Sequence, residues 1–156
     1  MLSLRRAKSD IVKVGQLVWL KGYVASNDGN LSIRLAENKV LITPSGLSKG
    51  FLSQAELVLT DMKGGVISGV NRPTSELKMH LAIYRERPDV KAVVHAHPPV
   101  ATGFAAAGVS LDQPVLPEVA IDLKKIPLAP YATPGTGELS RSVAGLITDC
   151  NAVLMA

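Results

Sequence analysis

Apolar and polar positions along the chain follow a helical period first and a strand period after it. From about Leu4 to Gly22, Ile11, Val14 and Val18 recur on one stripe that Leu17 widens, with Gly15 a weak position in it. Beyond the turn-forming run Asn27 to Asn30 the period shortens to two. Leu31, Ile33 and Leu35 alternate with Ser32 and Arg34, then comes the polar turn Glu37-Asn38-Lys39, and Val40-Leu41-Ile42 completes a hairpin that Pro44-Ser45-Gly46 ends. Ser53 is placed to cap a short helical turn. Leu57 to Met62 and Val66-Ile67 flank Lys63-Gly64-Gly65 as a second hairpin.

A second helix is predicted to start with Thr74 or Ser75 as N-cap and to run to about Arg87, where Pro88 stops it. Glu76 then falls in the first turn, where the helix dipole favours a negative charge, and Leu77, Leu81 and Tyr84 make the apolar stripe. A strand from about Val90 to His97 follows, then a small-residue helix from Pro99 to Ala107 that Gly108 ends. A proline-punctuated stretch, Leu111 to Pro130, contains Pro117-Glu118 and a strand at Ile126-Pro-Leu-Ala. After the loop Tyr131 to Thr136, a helix over Gly137 to Asp149 puts Leu139, Val143, Leu146 and Ile147 on one face, and Ala152 to Ala156 reads as a last strand. Hairpins and crossovers together predict an α/β fold, a mixed sheet covered by helices. At 156 residues that is a single domain able to bury a core without staples.

Composition narrows the function classes. Hydrophobic residues make up 47% and charged residues 19%, which excludes a disordered chain. The net charge is +4, but the 17 basic residues are scattered and only Arg5-Arg6-Ala-Lys8 clusters. No aromatic residues interleave with them, so no nucleic-acid partner is expected, and the charge serves at most to attract a small anion. Cys150 is alone, which excludes an internal disulfide and suits a reducing compartment. No apolar segment follows Arg5-Arg6 as in a signal peptide and no run reaches membrane-spanning length, so a cytoplasmic protein without a membrane partner is expected.

The candidate chemistry centres on Val93-Val94-His95-Ala96-His97-Pro98-Pro99. On a strand, His95 and His97 point to the same face with Cα atoms roughly 6.5–7 Å apart, close enough to share an ion at about 2.0–2.1 Å from each nitrogen. On spacing alone, two histidines at a strand end, hydrogen-bonded or partly solvated, are the plainer reading, because two ligands do not make a site. Glu76 is either an ordinary helix-start carboxylate or, facing such an ion, a ligand at rest and a base during turnover. His80, four residues on, is a further ligand or a packed core histidine. The pairs Gly29-Asn30, Ser45-Gly46 and Thr74-Ser75 offer unencumbered backbone N–H groups and small donors, which together would cradle a phosphate and singly are turn and cap chemistry.

The order of these pieces is familiar. Asp28-Gly-Asn-Leu-Ser-Ile-Arg34, Leu41-Ile-Thr-Pro-Ser-Gly46, Pro73-Thr-Ser-Glu76, His95-Ala-His97-Pro98 and Pro130-Tyr-Ala-Thr-Pro-Gly-Thr136 together resemble the class II aldolase/adducin family. The resemblance runs from about Lys8 to Ala156. It implies a three-layer α/β/α sandwich with a central mixed, largely antiparallel sheet, a homotetramer, and one zinc ion per subunit. Position by position it implies His95 and His97 as metal ligands. It makes Glu76 both the acid/base carboxylate and a ligand when substrate is absent, and Gly29, Asn30, Ser45, Gly46, Thr74 and Ser75 the substrate-phosphate site. The counterpart of His80 is not a ligand.

The activity implied is metal-assisted aldol cleavage of a phosphorylated ketose through an enediolate. Related epimerases, decarboxylases and dehydratases, or an adducin-type assembly domain without catalysis, are the alternatives. In the family a third histidine ligand follows a strand like Ala152 to Ala156, in an Asn-His-Gly motif. The expectation is therefore that the chain is part of a longer protein rather than a degraded family member, and that these residues alone hold the metal weakly or not at all.

Overall fold

Strand alternation builds the centre of the molecule. In the computed structural model, which describes residues 2–113, 117 and 119–156, strands β1 (Asn30–Ala36), β2 (Lys39–Ile42), β3 (Val58–Asp61), β4 (Val66–Ser68) and β5 (Ala92–His95) form a five-stranded sheet. Its order is β4-β3-β2-β1-β5, and every neighbouring pair is antiparallel. Both predicted hairpins are present, with Ile33 opposite Leu41 in one and Leu59 opposite Ser68 in the other. β5 forms one edge, where Asn30 of β1 lies opposite His95 and Ser32 opposite Val93.

Helices cover both faces. Helix α1 (Leu4–Leu20) packs Ala7 and Ile11 against Leu31, Leu41, Leu57 and Leu59. Helix α2 (Leu77–Glu86) packs Leu77, Leu81 and Tyr84 against Val40, Ile42 and Val58. Successive β2 residues therefore serve opposite helices, as the pleat requires. Helix α3 (Pro99–Ala106) follows β5, and helix α4 (Gly137–Leu146) lies on α2, with Leu139, Val143 and Ile147 clustered with Met79 and Ile83. This is the expected α/β/α layering. Its parallel component is confined to a separate pair, β6 (Leu128–Ala129) with β7 (Leu154–Met155). No described helix is long and apolar enough to cross a membrane.

Several boundaries differ from the periodic reading, each for a local reason. Glu76 is the N-cap of α2 rather than a first-turn residue, and its carboxylate makes no cap bond. The predicted cap Thr74 instead accepts the Glu76 N–H through its hydroxyl, at 3.4 Å. Helix α4 ends at Leu146, short of Asp149, because the Arg87 guanidinium takes the carbonyls of Ile147 (2.9 Å) and Cys150 (3.1 Å). Those late carbonyls need a partner once the helix stops supplying one. β5 is shorter than Val90 to His97, with His97 bonded instead through its N–H to the Tyr23 carbonyl at 2.6 Å.

No helix starts at Ser53; its N–H takes the Glu56 carboxylate at 2.7 Å in a simple turn, and the helical turn sits earlier, at Lys49–Phe51. Within the proline-punctuated stretch, Val119–Leu123 makes one π-helical turn, and Ile126 pairs by reciprocal backbone bonds with Leu111. Glu118 of the predicted Pro117-Glu118 pair lies outside the described residues.

The α1 stripe also shifts. Leu17 is 47% exposed, whereas Gly15, the apparent weak point, is buried with Ala7 and Ile11. A Cβ on Gly15 would stand 2.8 Å from the Lys49 carbonyl oxygen, a backbone atom with little room to move. Helix propensity alone predicts that Gly15→Ala stabilises by about 1 kcal/mol. The close approach reverses the sign: urea unfolding should show Gly15→Ala less stable than wild type by about 1–3 kcal/mol, and a more stable variant would show that α1 can step away from Lys49.

Candidate active site

The short loops at one end of the sheet are stitched together by backbone bonds. The Leu31 N–H donates to the Thr43 hydroxyl (3.1 Å) and the Thr43 N–H to the Leu31 carbonyl (3.0 Å). Thr74 N–H in turn reaches the Thr43 carbonyl (3.1 Å), and Ser45 N–H the Arg72 carbonyl (3.0 Å). The stretches Gly29-Asn30, Ser45-Gly46 and Thr74-Ser75, far apart in sequence, thus come to one place. They line a cleft of about 410 Å³ that also holds Glu76, His95 and His97, so every residue predicted for the site faces one cavity.

Two features refine the predicted cradle. The N–H groups of Ser45 and Thr74 are taken up by the stitching, which leaves those of Gly46 and Ser75 free of backbone bonds among the described residues. Gly46 has φ +76° and open space around it, the left-handed backbone that a side chain would resist. Gly29, φ +68°, is needed for a second reason: a Cβ there would meet Val24 Cγ1 and stand 2.8 Å from the His95 carbonyl oxygen.

At the base of the cleft Glu76 is buried, its side chain 10% exposed. Its Oε2 accepts from His95 Nδ1 at 2.5 Å and from Asn30 Nδ2 at 2.6 Å. Burial pushes this carboxyl up, but the hydrogen bond and charge of His95 and the Asn30 amide outweigh it and take the group down to about 2. Glu76 therefore rests ionised. Because a carboxylate only accepts, His95 carries its proton on Nδ1, and in neutral His95 the Nε2 lone pair is the one left over. The Asn30 amide keeps a second N–H for the cleft.

His80 settles its own alternatives. The ring is completely buried, with Nε2 2.5 Å from Asn30 Oδ1 and Nδ1 2.7 Å from Ser32 Oγ. Both nitrogens are occupied within the core, so it is a packed histidine and not a ligand. Burial, with the nearby His95, pushes it down to about 3, and it is neutral at physiological pH.

His95 and His97 stack with ring centroids 4.9 Å apart and 29° between planes. Among the described residues no group of three His, Cys, Asp or Glu side chains is arranged to close round an ion. The expected trio of His95, His97 and Glu76 is thus gathered but not closed, because Glu76 turns its Oε2 to His95 Nδ1. The donor chemistry nonetheless fits a divalent cation. Two imidazoles and a carboxylate share the cleft, and the bond from His95 Nδ1 to a carboxylate is the orienting contact that metal-bound histidines make through their second nitrogen.

Sequence reasoning missed Lys49. It is 1% exposed, and its ammonium group donates to the carbonyls of Asn27 (2.8 Å) and Leu47, tying two of the cleft loops together. Burial lowers its pKa and Asp28 partly restores it. A lone lysine in a polar stretch carries no signal for this. The polar partners Ser32 and Tyr84 were also missed, although Glu76, His80 and Tyr84 recur every four residues on one helix.

An α/β/α sandwich with a paired-histidine and carboxylate cleft at the loop end of an antiparallel sheet defines a narrow class. The chain belongs to the class II aldolase and adducin N-terminal domain family, whose pattern matches residues 9–156. It is 39% identical over 141 residues to an L-fuculose phosphate aldolase of Methanococcus maripaludis, covering 90% of this chain and 76% of that protein. It is 33% identical over 154 residues to a 3-oxo-tetronate 4-phosphate decarboxylase of Haemophilus influenzae, covering 96% and 72%. A solved L-fuculose 1-phosphate aldolase superposes with a TM-score of 0.91 at 33% identity, over 100% of this chain and 73% of that one.

The buried neutral His80 gives the fold an acid-sensitive element. Its pKa is 6.5 as a free side chain and about 3 in the fold. Between those values the unfolded chain binds the extra proton, so this contribution to stability is whole above about pH 6.5 and declines toward pH 3, by about 1.4 kcal/mol per pH unit. Urea unfolding between neutral pH and about pH 5 should show that slope in wild type and its loss in His80→Leu; equal slopes would mean His80 titrates normally in the native state.

Proposed function

We propose that the chain is a divalent-metal-dependent aldolase, an aldehyde-lyase that breaks and forms a carbon–carbon bond in a phosphorylated ketose. The observation that carries this is the pairing of Glu76 with His95 at 2.5 Å inside a cleft rimmed by the small-residue loops. A base and an anion site in one cavity are what the reaction needs. A zinc ion held by His95 and His97, with Glu76 as the third donor at rest, would supply Lewis-acid polarisation of the ketose oxygens when bound.

The other steps belong to the chain's own residues. The substrate phosphate is held by the N–H groups of Gly46 and Ser75, the hydroxyls of Ser45, Thr74 and Ser75, and the loop at Gly29 and Asn30. Glu76 takes the proton from the carbon next to the carbonyl; the pair left behind forms the enediolate that attacks the aldehyde. In cleavage the hydroxyl proton passes to Glu76 as the carbon–carbon bond breaks and the aldehyde forms, and Glu76 gives it to the enediolate carbon; in the reverse direction the proton that Glu76 has taken neutralises the new alkoxide. Held by His95, Glu76 is a weak base. The hydrogen bonds from His95 and Asn30 keep it ionised and ready to accept that proton.

The relative named as a 3-oxo-tetronate 4-phosphate decarboxylase favours a second reading, decarboxylation of a phosphorylated 3-oxo acid in the same cleft. Both reactions break a carbon–carbon bond and leave an enediolate for Glu76 to protonate.

Zinc content after dialysis and turnover of both substrate classes test the proposal. Wild type in its full-length form should retain about one zinc per subunit. His95→Ala should lose it, and Glu76→Gln should lower turnover by about a hundredfold or more. Equal zinc in wild type and His95→Ala would sink the ligand assignment. A zinc-loaded protein that cleaves no phosphosugar and decarboxylates no phosphorylated 3-oxo acid would leave an assembly role in its place.

A further inference from the structure

The buried polar groups under the cleft form a single directed chain, and most of it lies outside the cleft. Tyr84 OH is 2.8 Å from Ser32 Oγ, which is 2.7 Å from His80 Nδ1. His80 Nε2 is 2.5 Å from Asn30 Oδ1, and Asn30 Nδ2 is 2.6 Å from Glu76 Oε2. Tyr84 and Ser32 are each 1% exposed, His80 is fully buried, and Asn30 is 5% exposed. Tyr84, Ser32 and His80 cannot exchange their partners for solvent.

Hydrogen-bond chemistry fixes the direction throughout. An ionised carboxylate only accepts, so Asn30 must face it with the amide nitrogen, and the amide oxygen then faces His80. That oxygen also only accepts, so His80 carries its single proton on Nε2. Nδ1 is then bare and accepts the Ser32 hydroxyl, which leaves the Ser32 oxygen to accept from Tyr84. Reversing any link would set two acceptors or two donors against each other in a dry core, at the desolvation cost of an unpaired group.

We propose that His80 is a positioning residue for the reaction: its Nε2–H anchors the oxygen of the Asn30 amide, and that amide holds the Glu76 carboxylate in place. This deepens the aldolase reading and rests on it for the role of Glu76. Without the Nε2–H, the Asn30 oxygen loses its anchor in the core and the amide can swing away from the carboxylate, which displaces the base from the carbon it serves. Oε1 of Glu76 takes no hydrogen bond among the described residues, so Oε2 alone fixes the group.

The test uses the metal-loaded protein and three variants of residues outside the cleft. His80→Leu should lower kcat by about tenfold to a hundredfold, the usual cost of a misplaced group, with KM changed by less than about threefold. His80→Gln places an amide N–H near the position of Nε2–H and should recover most of that loss. If His80→Leu does not fold, Ser32→Ala carries the kinetic arm, since it removes the partner that holds the His80 ring at Nδ1 without emptying the core; kcat should fall with KM held. Unchanged kcat in a folded variant, or no recovery by His80→Gln, overturns the proposal.

Nitrogen-15 spectra of the histidine rings are independent of activity. They should show His80 protonated on Nε2 in wild type and still on Nε2 in Ser32→Ala, because the Asn30 oxygen it faces only accepts. A proton on Nδ1 in wild type overturns the inference. A protein with the expected tautomers and no turnover of any phosphosugar would instead refute the aldolase reading and, with it, the role assigned to His80.

Discussion

Four residues of an α-helix advance about 6 Å and two residues of a strand about 6.7 Å, and the near match of those steps underlies the whole cleft. Glu76, His80 and Tyr84 climb one face of α2 at intervals of four. Asn30, Ser32 and Arg34 climb one face of β1 at intervals of two. Laid against each other they bond in sequence, Asn30 to Glu76 and His80, Ser32 to His80 and Tyr84. Arg34 closes the far end, with its guanidinium 4.7 Å from the Tyr84 ring centroid and donating to the Tyr84 carbonyl. A slip of one residue in β1 would replace this ladder with Leu31 and Ile33.

That register is held from elsewhere. β1 is paired on both sides, to β2 and to β5, and its other face is sealed by α1 through Leu31. The pairing with β5 also brings His95 opposite Asn30 and hence to Glu76. Apolar packing thus sets the position of a polar site, and the polar site adds direction to it. Each hydrogen bond contributes only about 1 kcal/mol net, but an unmade one in this core costs about 1–3 kcal/mol, so the ladder acts as a unit. The same burial that would raise the Glu76 carboxyl and keeps His80 neutral is what makes the two hydrogen bonds to Oε2 decisive.

The loops above the ladder obey the same logic at smaller scale. Thr43 links the β1 loop to the loop before α2, and the buried Lys49 links Asn27 to Leu47. Their donors are divided between holding the loops together and facing the cleft. Gly15 belongs to this arrangement although it is on α1, because its missing side chain lets the helix rest on the Lys49 backbone.

Much of this was legible in the chain itself. Both hairpins, the apolar stripe of α2 and the helices after β5 follow from periodicity, and the residues lining the cleft follow from short motifs whose glycines, hydroxyls, histidines and carboxylate have local chemistry. What periodicity misjudged were positions whose environment is set at long range. Gly15 looked weak, Leu17 looked like part of the apolar stripe, and Ser32 and Arg34 were only the polar positions alternating with Leu31, Ile33 and Leu35. Ser32 is bonded to residues 48 and 52 positions away.

By itself the sequence determined which elements form and which side chains are available for chemistry, because period, caps and turn residues act within a few positions. Only the tertiary structure decided which of those groups meet. A polar residue every second position on a strand and every fourth on a helix is equally suited to water or to a buried ladder. The choice is made by the register of α2 on β1, fixed by packing that no local pattern contains.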